Sequence, residues 1–236
     1  MTDGMWRPVR GGNAFELTVE RLAQAIRLGV VPAGERLPPE RELAEKLRVS
    51  RVTLREAIGA LREAGLLESR RGRAGGTFVL YAGDLPHEDA GALARSMGSD
   101  LTDALDFRWV IEPGAAALAA GRTLPATDRQ HLVGCLEASR SRDPIGRRIA
   151  DSRLHLAIAA ASGSPSLAAA VADVQLTLDR LLAAIPVLRR NLDHSDNQHA
   201  RIVEAILAGD SVRAREEMAE HCEGTSALLR GFLDRD

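Results

Sequence analysis

Two helical segments follow each other between residues 40 and 64 with almost no chain to separate them. The first, ERELAEKL, carries acidic side chains in its first turn, where the helix dipole favours negative charge. Only Arg48 and Val49 come before Ser50, which is a typical N-cap, and Gly65 then ends the second segment. So short a connection forces the two helices to cross steeply. The sequence therefore predicts a helix-turn-helix, and this pair constrains the fold more than any other feature.

The segments on either side complete a small domain. Residues 15–28 place apolar side chains at steps of three and four, which indicates an amphipathic helix, and Pro32-Ala33-Gly34 then turns the chain. Downstream, residues 66–69 and 77–80 flank the run RRGRAGG and are expected to pair as a β-hairpin. Three helices and a basic hairpin form a winged helix-turn-helix.

The third helix has the chemistry of a DNA reader. Arg51 and Arg55 are four residues apart, so both project from one face of the helix, where they can reach guanine edges or phosphates. Thr53 lies between them in sequence. Such a helix enters the major groove through its N-terminal turns, while Leu54, Ile58 and Leu61 would face the core of the domain. In isolation, however, a serine cap followed by two arginines is more often an ordinary solvated helix start.

Basic residues elsewhere in this part of the chain agree with a polyanionic partner. Arg41 lies near the start of the preceding helix, and the predicted hairpin carries Arg70, Arg71 and Arg73 among glycines. Residues 1–80 carry 14 Arg or Lys against 10 Asp or Glu, whereas residues 81–236 carry 17 against 23. A net charge of +4 followed by −6 suggests two functions on one chain.

The acidic part is predicted to be entirely helical. Helix ends are marked by Ser164-Pro165, by Gly209-Asp210 and by an expected capping box from Ser195 to Gln198, and Pro113 should kink the helix that contains it. The fold class is therefore mainly α, with the N-terminal winged helix-turn-helix followed by a six- or seven-helix antiparallel bundle. Its helices are predicted at 86–97, 100–121, 126–140, 146–162, 165–189, 196–208 and 211–233.

Four polar residues of the bundle could hold a metal ion. Asp151 and His155 are one helical turn apart, and His199 and His221 lie on two further helices. A carboxylate and three imidazoles can converge on a divalent cation in a bundle core, with Zn²⁺ first and Ni²⁺, Mn²⁺ or Fe²⁺ as alternatives. Each histidine taken singly is more often a surface or core residue than a ligand. No partner is assigned to His87, His131, His194, Cys135 or Cys222.

The first third of the chain resembles the DNA-binding domain of the GntR family of bacterial transcription regulators. The likeness extends over residues 15–80 and is carried by the motifs LPPERELA, VSRVTLREAIGALREAGLL and GGTFV. It implies a winged helix-turn-helix whose contacts with double-stranded DNA fall on Arg41, Ser50, Arg51, Thr53, Arg55, Arg71, Gly72 and Arg73. Val52 departs from the family pattern, which often has a polar residue there.

The remainder resembles the FCD effector-binding domain of the FadR subfamily. The stretches that carry this likeness are FRWVIEPGAAALAA, DSRLHLAIAAASGSPSL, DNQHARIVEAILAGD and AREEMAEHCEG. Many members bind a metal through one Asp and three His, which implies a site at Asp151, His155, His199 and His221. Arg108 stands where several relatives direct an arginine into the cavity, where it would grip an effector carboxylate. The alternative is a surface arginine paired with Glu112.

These resemblances imply a metabolite-responsive regulator. It would bind a pseudo-palindromic operator as a homodimer and act as a repressor that a small carboxylate releases. The competing hypotheses are a helical metal-dependent enzyme with an appended DNA-binding segment, and a purely structural ion. We expect an N-terminal tail at 1–14, the DNA-binding domain at 15–81, a linker at 82–85 and the effector domain at 86–236.

Composition limits the setting in which such a protein works. No segment approaches the roughly 18 consecutive apolar residues that would span a membrane. Only two cysteines are present, far apart in the sequence, so no disulfide framework is expected and a reducing cytoplasm fits best.

Overall fold

The structure, a computed structural model, describes residues 13–27, 31–72, 75–80, 99–141, 144–183, 185 and 188–233. In these residues it shows nine helices and one two-stranded sheet, so the predicted mainly helical fold with a small sheet is confirmed. The helix predicted at 86–97 and the predicted wing residue Arg73 lie outside the described residues.

The three N-terminal helices form where the sequence places them. They are α1 (Ala14–Arg27), α2 (Glu40–Leu47) and α3 (Arg51–Glu63). The predicted inward face of α3 is buried, including Leu54, Ile58 and Leu61. Glu40 and Glu42 occupy the first turn of α2, as the dipole argument expects.

The hairpin that follows consists of β1 (Leu67–Arg70) and β2 (Gly76–Val79), paired antiparallel with Leu67 opposite Val79. A third segment that the sequence did not reveal joins the outer edge of β2. The Leu37 N–H donates to the Thr77 carbonyl (2.8 Å), and the Val79 N–H donates to the Glu35 carbonyl (3.0 Å). The chain before α2 thereby satisfies the free edge of the hairpin.

The rest of the described chain is helical. Most boundaries lie within two residues of those predicted, and Gly209 and Asp210 separate the last two helices as expected, with the Arg213 N–H donating to Asp210 Oδ1 (3.0 Å). The helix that contains Pro113 continues through it. The six helices are α4 (Ser99–Ala120), α5 (Ala126–Ser139), α6 (Pro144–Ala161), α7 (Pro165–Ala183), α8 (Arg189–Ala208) and α9 (Ser211–Leu233).

Two neighbouring boundary predictions are wrong, the end of the helix expected at 165–189 and the start of the helix expected at 196–208. The helix expected at 165–189 ends at Ala183, and α8 begins at Arg189, so the expected capping box from Ser195 to Gln198 lies inside α8. Proline removes a backbone donor and disfavours helical geometry in the residue before it, so Pro186 in the sequence is the stronger signal for an end. Leu188, the residue immediately before α8, is buried, whereas residues 189–197 of the helix are exposed or half-buried.

The described residues fall into two compact units, each with contributions from separate parts of the chain. One contains those of Met1–Ser96, Ala183–Leu192 and Gly224–Asp236, and the other those of Met97–Leu182 and Asp193–Glu223. In the first unit, α1 packs on the end of α9. A Cβ atom at Gly231 would lie 2.8 Å from the Glu20 Cα, and Arg230 Nε donates to Glu20 Oε1 (3.1 Å).

The second unit has a core drawn from five of its helices. Small side chains of α4 and α9 allow close packing against the branched residues of α6 and α8. The main cluster includes Ala116, Ala119, Leu132, Leu154, Ile158, Ile202, Ile206, Ala214 and Met218. Polar groups within such a core are desolvated, which determines the chemistry of the site described next.

Candidate functional site

The N-terminus of α3 is built around Ser50. This residue has extended backbone angles, and its Oγ accepts a hydrogen bond from the Thr53 N–H (2.9 Å), so the predicted cap is confirmed. Arg48 ends α2 in the left-handed conformation (φ 54°), which closes the tight turn. The turn therefore fixes the orientation of α3 relative to α2.

The outer face of α3 is exposed and basic. Arg51, Val52 and Arg55 are all exposed, whereas Thr53 is half-buried beside the cap. Arg55 Nε donates to Glu40 Oε2 on α2 (2.6 Å), a contact that the sequence did not indicate. Exposed ion pairs of this kind contribute roughly 0–1 kcal/mol, so a phosphate or a guanine could displace Glu40.

Three further arginines lie on the elements before and after α3, one on α2 and two at the hairpin. Arg41 is exposed on α2, with its Nε 3.6 Å from Glu45 Oε1. At the hairpin, Arg70 pairs with Glu68 and stacks on Phe78, its guanidinium carbon 4.2 Å from the ring centroid. Arg71 is the exposed residue that follows.

The turn of the hairpin requires glycine. Gly72 has φ 102°, and a Cβ atom at Gly75 would lie 2.5 Å from the Arg70 carbonyl oxygen. The Gly75 N–H donates to the Gly72 carbonyl (2.9 Å) and closes the turn. Gly72 thus leaves the backbone position directly after Arg71 without a side chain, which suits close approach to a phosphate.

Three histidines from three helices converge in the core of the second unit. His155 of α6, His199 of α8 and His221 of α9 are all buried, and one ring nitrogen of each lies within 4.8 Å of those of the other two. The closest approach, 3.3 Å, joins His199 Nε2 to His221 Nε2. The structure therefore brings together the three imidazoles that the sequence singled out.

Asp151 lies beside two of these imidazoles. Its Oδ1 is 3.6 Å from His199 Nε2, and its Oδ2 is 4.0 Å from His155 Nε2. Unlike the histidines it is partly exposed, so its carboxylate stands at the border between the cluster and solvent. All four predicted residues are thus neighbours.

The cluster has the properties of a cation site. His155 Nε2 and His199 Nδ1 are buried and have no hydrogen-bond partner among the described residues, an arrangement that costs free energy unless something else satisfies them. Nitrogen and oxygen donors at this spacing suit a divalent transition metal. The residues present therefore fit such an ion.

A buried carboxylate, that of Glu112, contacts one histidine of the cluster at the ring nitrogen that does not face Asp151. Glu112 Oε2 lies 2.9 Å from His155 Nδ1 and 3.2 Å from Arg108 Nε, and Gln175 donates to Glu112 Oε1 (2.6 Å). A carboxylate at one ring nitrogen of a histidine fixes the ring and directs the other nitrogen toward a metal. Glu112 entered the sequence reasoning only as a surface partner of Arg108.

Arg108 is paired with Glu112, but not at the surface. Only 1% of its side chain is exposed, so the surface alternative is wrong while the pairing itself is correct. Its Nη1 is buried without a hydrogen-bond partner among the described residues. A buried guanidinium with an unused donor can bind an anion.

Protonation in this core follows from burial and charge together. Burial alone would raise the pKa of Glu112, but the charges of Arg108 and His155 hold it well below its usual range. Burial lowers the pKa of His199 to about 4, against the opposing charge of Asp151, and burial likewise lowers the pKa of His221. His199 and His221 are therefore neutral near pH 7, as metal ligands must be.

Two further residues of the site were not predicted from the sequence, although each is adjacent in sequence to a predicted ligand. Gln198 Oε1 lies 3.1 Å from His221 Nδ1, and Cys222 Sγ lies 3.6 Å from Glu112 Oε2. Burial raises the pKa of Cys222, so it remains a thiol. Expecting no partner for Cys222 was wrong, because helix geometry carries the residue beside His221 into the same core.

Nothing in the described chain indicates a membrane segment. Among these residues, no helix combines the length and the apolar character that crossing a bilayer would need.

Comparison with known proteins agrees with this description. The family of bacterial regulatory proteins called gntR matches residues 16–79, and the FCD domain family matches residues 103–224. The two matches fall on the winged helix-turn-helix and on most of the helical part.

Relatives that match most of the chain are named as regulators. RmpR of Mycobacterium gastri, named as an HTH-type transcriptional regulator, is 37% identical over 210 residues, which cover 86% of this chain and 75% of RmpR. A protein of Escherichia coli (strain K12), named as an L-lactate dehydrogenase operon regulatory protein, is 36% identical over 213 residues, or 85% and 80% of the two chains. The solved structure of E. coli McbR/YncC shares the fold, with a TM-score of 0.50 at 22% identity over 91% of this chain and 96% of that one.

Proposed function

This chain belongs to the gntR family of bacterial regulatory proteins and is a transcription regulator with an FCD domain; we propose that it is a repressor released by a small carboxylate. The carboxylate would bind next to a divalent metal ion in the helical part. The observation that carries this proposal is the buried cluster of His155, His199 and His221 with Arg108 and Glu112 behind it.

The metal would be held by the three imidazoles and by Asp151. Zn²⁺ fits this donor set first, and Ni²⁺, Mn²⁺ or Fe²⁺ are alternatives. A divalent ion with an open coordination position supplies a binding site for one oxygen of a carboxylate. His155 Nε2, which has no hydrogen-bond partner among the described residues and lies 4.0 Å from Asp151 Oδ2, supports its presence.

Arg108 is the proposed second contact of the effector. Its Nη1 has no hydrogen-bond partner among the described residues, and the guanidinium stays charged because the buried Glu112 compensates it. A relative is named for the L-lactate dehydrogenase operon, which supports a small hydroxy acid as the class of ligand. An arginine and a metal can together grip the two ends of such a molecule.

On the DNA side, two copies would read the two halves of a pseudo-palindromic operator as a homodimer. Effector binding would change operator affinity because the ligand binds two states of the dimer with different affinity.

The proposed DNA-binding domain is 15–81 and the effector domain 86–236, joined by a linker at 82–85. Such a regulator acts in the cytoplasm. The proposed contacts are Arg41, Ser50, Arg51, Thr53, Arg55, Arg71, Gly72 and Arg73.

Operator binding by substituted proteins tests the DNA face. Arg51→Ala and Arg55→Ala should each weaken operator affinity by about 1–3 kcal/mol, because each removes a base or phosphate contact. Arg213→Ala, an exposed arginine of α9 paired with Glu204, is the matched control and should leave affinity unchanged. Unchanged affinity in both α3 variants, measured by fluorescence anisotropy, would contradict the assignment.

A thermal-shift screen of small carboxylates on metal-loaded protein tests the effector site. A ligand that binds only the folded state raises the melting temperature. The rise should be lost in His155→Ala and Arg108→Gln but kept in His131→Ala, whose histidine is exposed on α5. A full rise in both site variants would place the ligand elsewhere, and chelation that unfolds the domain without altering ligand binding would make the ion structural.

The comparisons favour a regulator and not an enzyme. The relatives described above are named as regulators, and the match covers 75% and 80% of their length, so the alternative of a metal-dependent enzyme with an appended DNA-binding segment is not favoured.

A further inference from the structure

One exposed residue of α3 is apolar. The exposed positions of this helix are Arg51, Val52, Arg55, Arg62 and Glu63, and Val52 alone among them carries no charge. Its side chain is 65% exposed, more than any other large apolar side chain described in residues 13–80. A single exposed valine is ordinary on most surfaces, so its meaning depends on what this part of the helix contacts.

Val52 lies in the middle of the proposed DNA-reading face. It directly follows Arg51, and Arg55 comes three residues later, so the three side chains project from neighbouring positions near the N-terminus of the helix. Leu54, which lies about 200° further round the helix, is buried. Val52 therefore points away from the core of its own domain.

The same side of the helix has room for a close partner. Gly59 lies two turns after Val52 and within about 20° of it round the helix, and a Cβ atom there would meet nothing within 4 Å. Between them lies Glu56, whose carboxylate would repel phosphate, but its Oε1 accepts a hydrogen bond from Arg190 Nη2 (2.5 Å). This side of α3 is thus shallow, and its acidic group is compensated.

The major groove of DNA offers an apolar side chain one kind of partner. The base edges present hydrogen-bond acceptors, amino donors and a single apolar group, which is the 5-methyl group of thymine. Against a polar edge, valine would remove water from a donor or acceptor and provide no hydrogen bond in return, which costs free energy. Against the methyl group, it would bury apolar surface on both partners.

We propose that Val52 reads the 5-methyl group of one thymine in each half of the operator. The thymine lies about one or two base pairs from the contact of Arg55, because the two Cβ atoms are about 5–6 Å apart and stacked base pairs about 3.4 Å apart. The inference rests on the proposed DNA-reading face and adds a base preference to it. In methylated DNA, 5-methylcytosine carries the same group at the same place.

The first experiment removes the methyl group from the DNA. Full-length wild-type protein would select duplexes from a random library, and the selected operator would be resynthesised with deoxyuridine in place of thymidine at one position at a time. This change leaves base pairing intact. Affinity, measured by fluorescence anisotropy, should fall by about 4-fold at one thymine of each half-site, the factor for burying one carbon. An operator in which no thymine responds would overturn the proposal.

A substitution in the protein assigns the methyl contact to Val52. Val52→Ser removes the methyl groups of the side chain, so this variant should bind the thymine and uracil operators equally well. Val212→Ser is the matched control, because Val212 is likewise the second residue of its helix, α9, and is 67% exposed. It should keep the 4-fold difference. A methyl effect that persists in Val52→Ser belongs to another residue and would exclude the contact.

Cytosine separates the methyl group from the rest of the thymine edge. Replacing the responding T·A pair by C·G should weaken binding, because the methyl group and the O4 acceptor are both lost. Placing 5-methylcytosine there should restore about 4-fold in wild type and nothing in Val52→Ser. Equal affinity of wild type for cytosine and 5-methylcytosine would contradict readout of the methyl group.

A repeated selection shows whether Val52 sets the preference. Val52→Asn should lose the preference for thymine at the responding position and keep the rest of the selected sequence, since asparagine pairs with adenine and not with a methyl group. An unchanged thymine would overturn the proposal. If wild type enriches no sequence, the proposed operator binding itself fails, whereas a selected operator without a methyl-dependent position removes only this inference.

Discussion

Glu112 illustrates how much of this site depends on one buried charge. Its carboxylate lies between Arg108 Nε (3.2 Å) and His155 Nδ1 (2.9 Å), and Gln175 donates to its other oxygen. All of these groups are buried, so each charge is stable only because the other is present. The carboxylate therefore both compensates the arginine and orients a ligand histidine.

Replacing this carboxylate should affect stability and metal binding together. Glu112→Gln should destabilise the metal-free protein by about 3–5 kcal/mol, because it leaves Arg108 buried without a counter-charge. Metal affinity should fall by about 10- to 100-fold, because His155 loses its support. Urea unfolding and calorimetric metal titration measure the two effects.

The control is Glu204→Gln, which removes an exposed partner of Arg213. An exposed ion pair contributes roughly 0–1 kcal/mol, so this variant should unfold nearly as wild type does. Equal stability of the two variants would mean that Glu112 does not compensate Arg108.

At the scale of one element, the limits of α3 are set by the residues at its two ends. Ser50 caps the first turn, and Gly65, with φ 76°, reverses the chain after the last one. Gly59 lies within the helix and has ordinary helical geometry. A Cβ atom would meet nothing within 4 Å at either glycine, so the two positions differ in backbone conformation alone.

Substitutions at Gly59 and Gly65 test the effect of backbone conformation on stability, because neither new side chain would make a contact. Gly59→Ala should stabilise the protein by about 0.5–1 kcal/mol, because alanine loses less conformational entropy in a helix. Gly65→Ala should destabilise it by about 1–2 kcal/mol, because a side chain disfavours the left-handed conformation. Chemical denaturation of both variants measures the difference, and shifts of the same sign would contradict the explanation.

For the molecule as a whole, the buried imidazoles link folding to pH and to metal. His199 and His221 are neutral in the folded core, mainly because burial penalises the charged form. A divalent ion would bind the same neutral form, so protons and metal compete for one site.

In chelator, the free energy of unfolding should fall as the pH is lowered from about 6.5, the value for an unfolded histidine, to about 4, the pKa of folded His199. Between these limits the unfolded chain binds a proton that the folded chain does not, so acid favours unfolding, by about 3 kcal/mol for His199. Urea titrations across this pH range measure the slope.

His199→Gln should flatten this dependence relative to wild type. His131→Gln should not, since His131 is exposed. Identical slopes for wild type and His199→Gln would show that burial of this imidazole does not control acid stability.

Much of this protein could be predicted from local patterns. The cap at Ser50, the helix limits around Gly209 and the inward face of α3 depend on neighbouring residues, and local geometry determines them. Local patterns conflict near Pro186, where the proline marks a helix end and the residues from Ser195 to Gln198, which resemble a capping box, lie inside α8. The strand-like segment at 35–37 has no local signal, because its partner is β2, some forty residues later.

The sequence by itself determined the family, the mainly helical fold and the identity of the three histidines, because motif spacing and helical periodicity are properties of neighbouring residues. Only the tertiary structure decided that Arg108 and Glu112 form a buried pair and that Cys222 and Gln175 join the site. The physical reason is burial. Whether a side chain is in water or in a core depends on helices distant in sequence, and burial decides whether the same residue is a surface charge or part of a site.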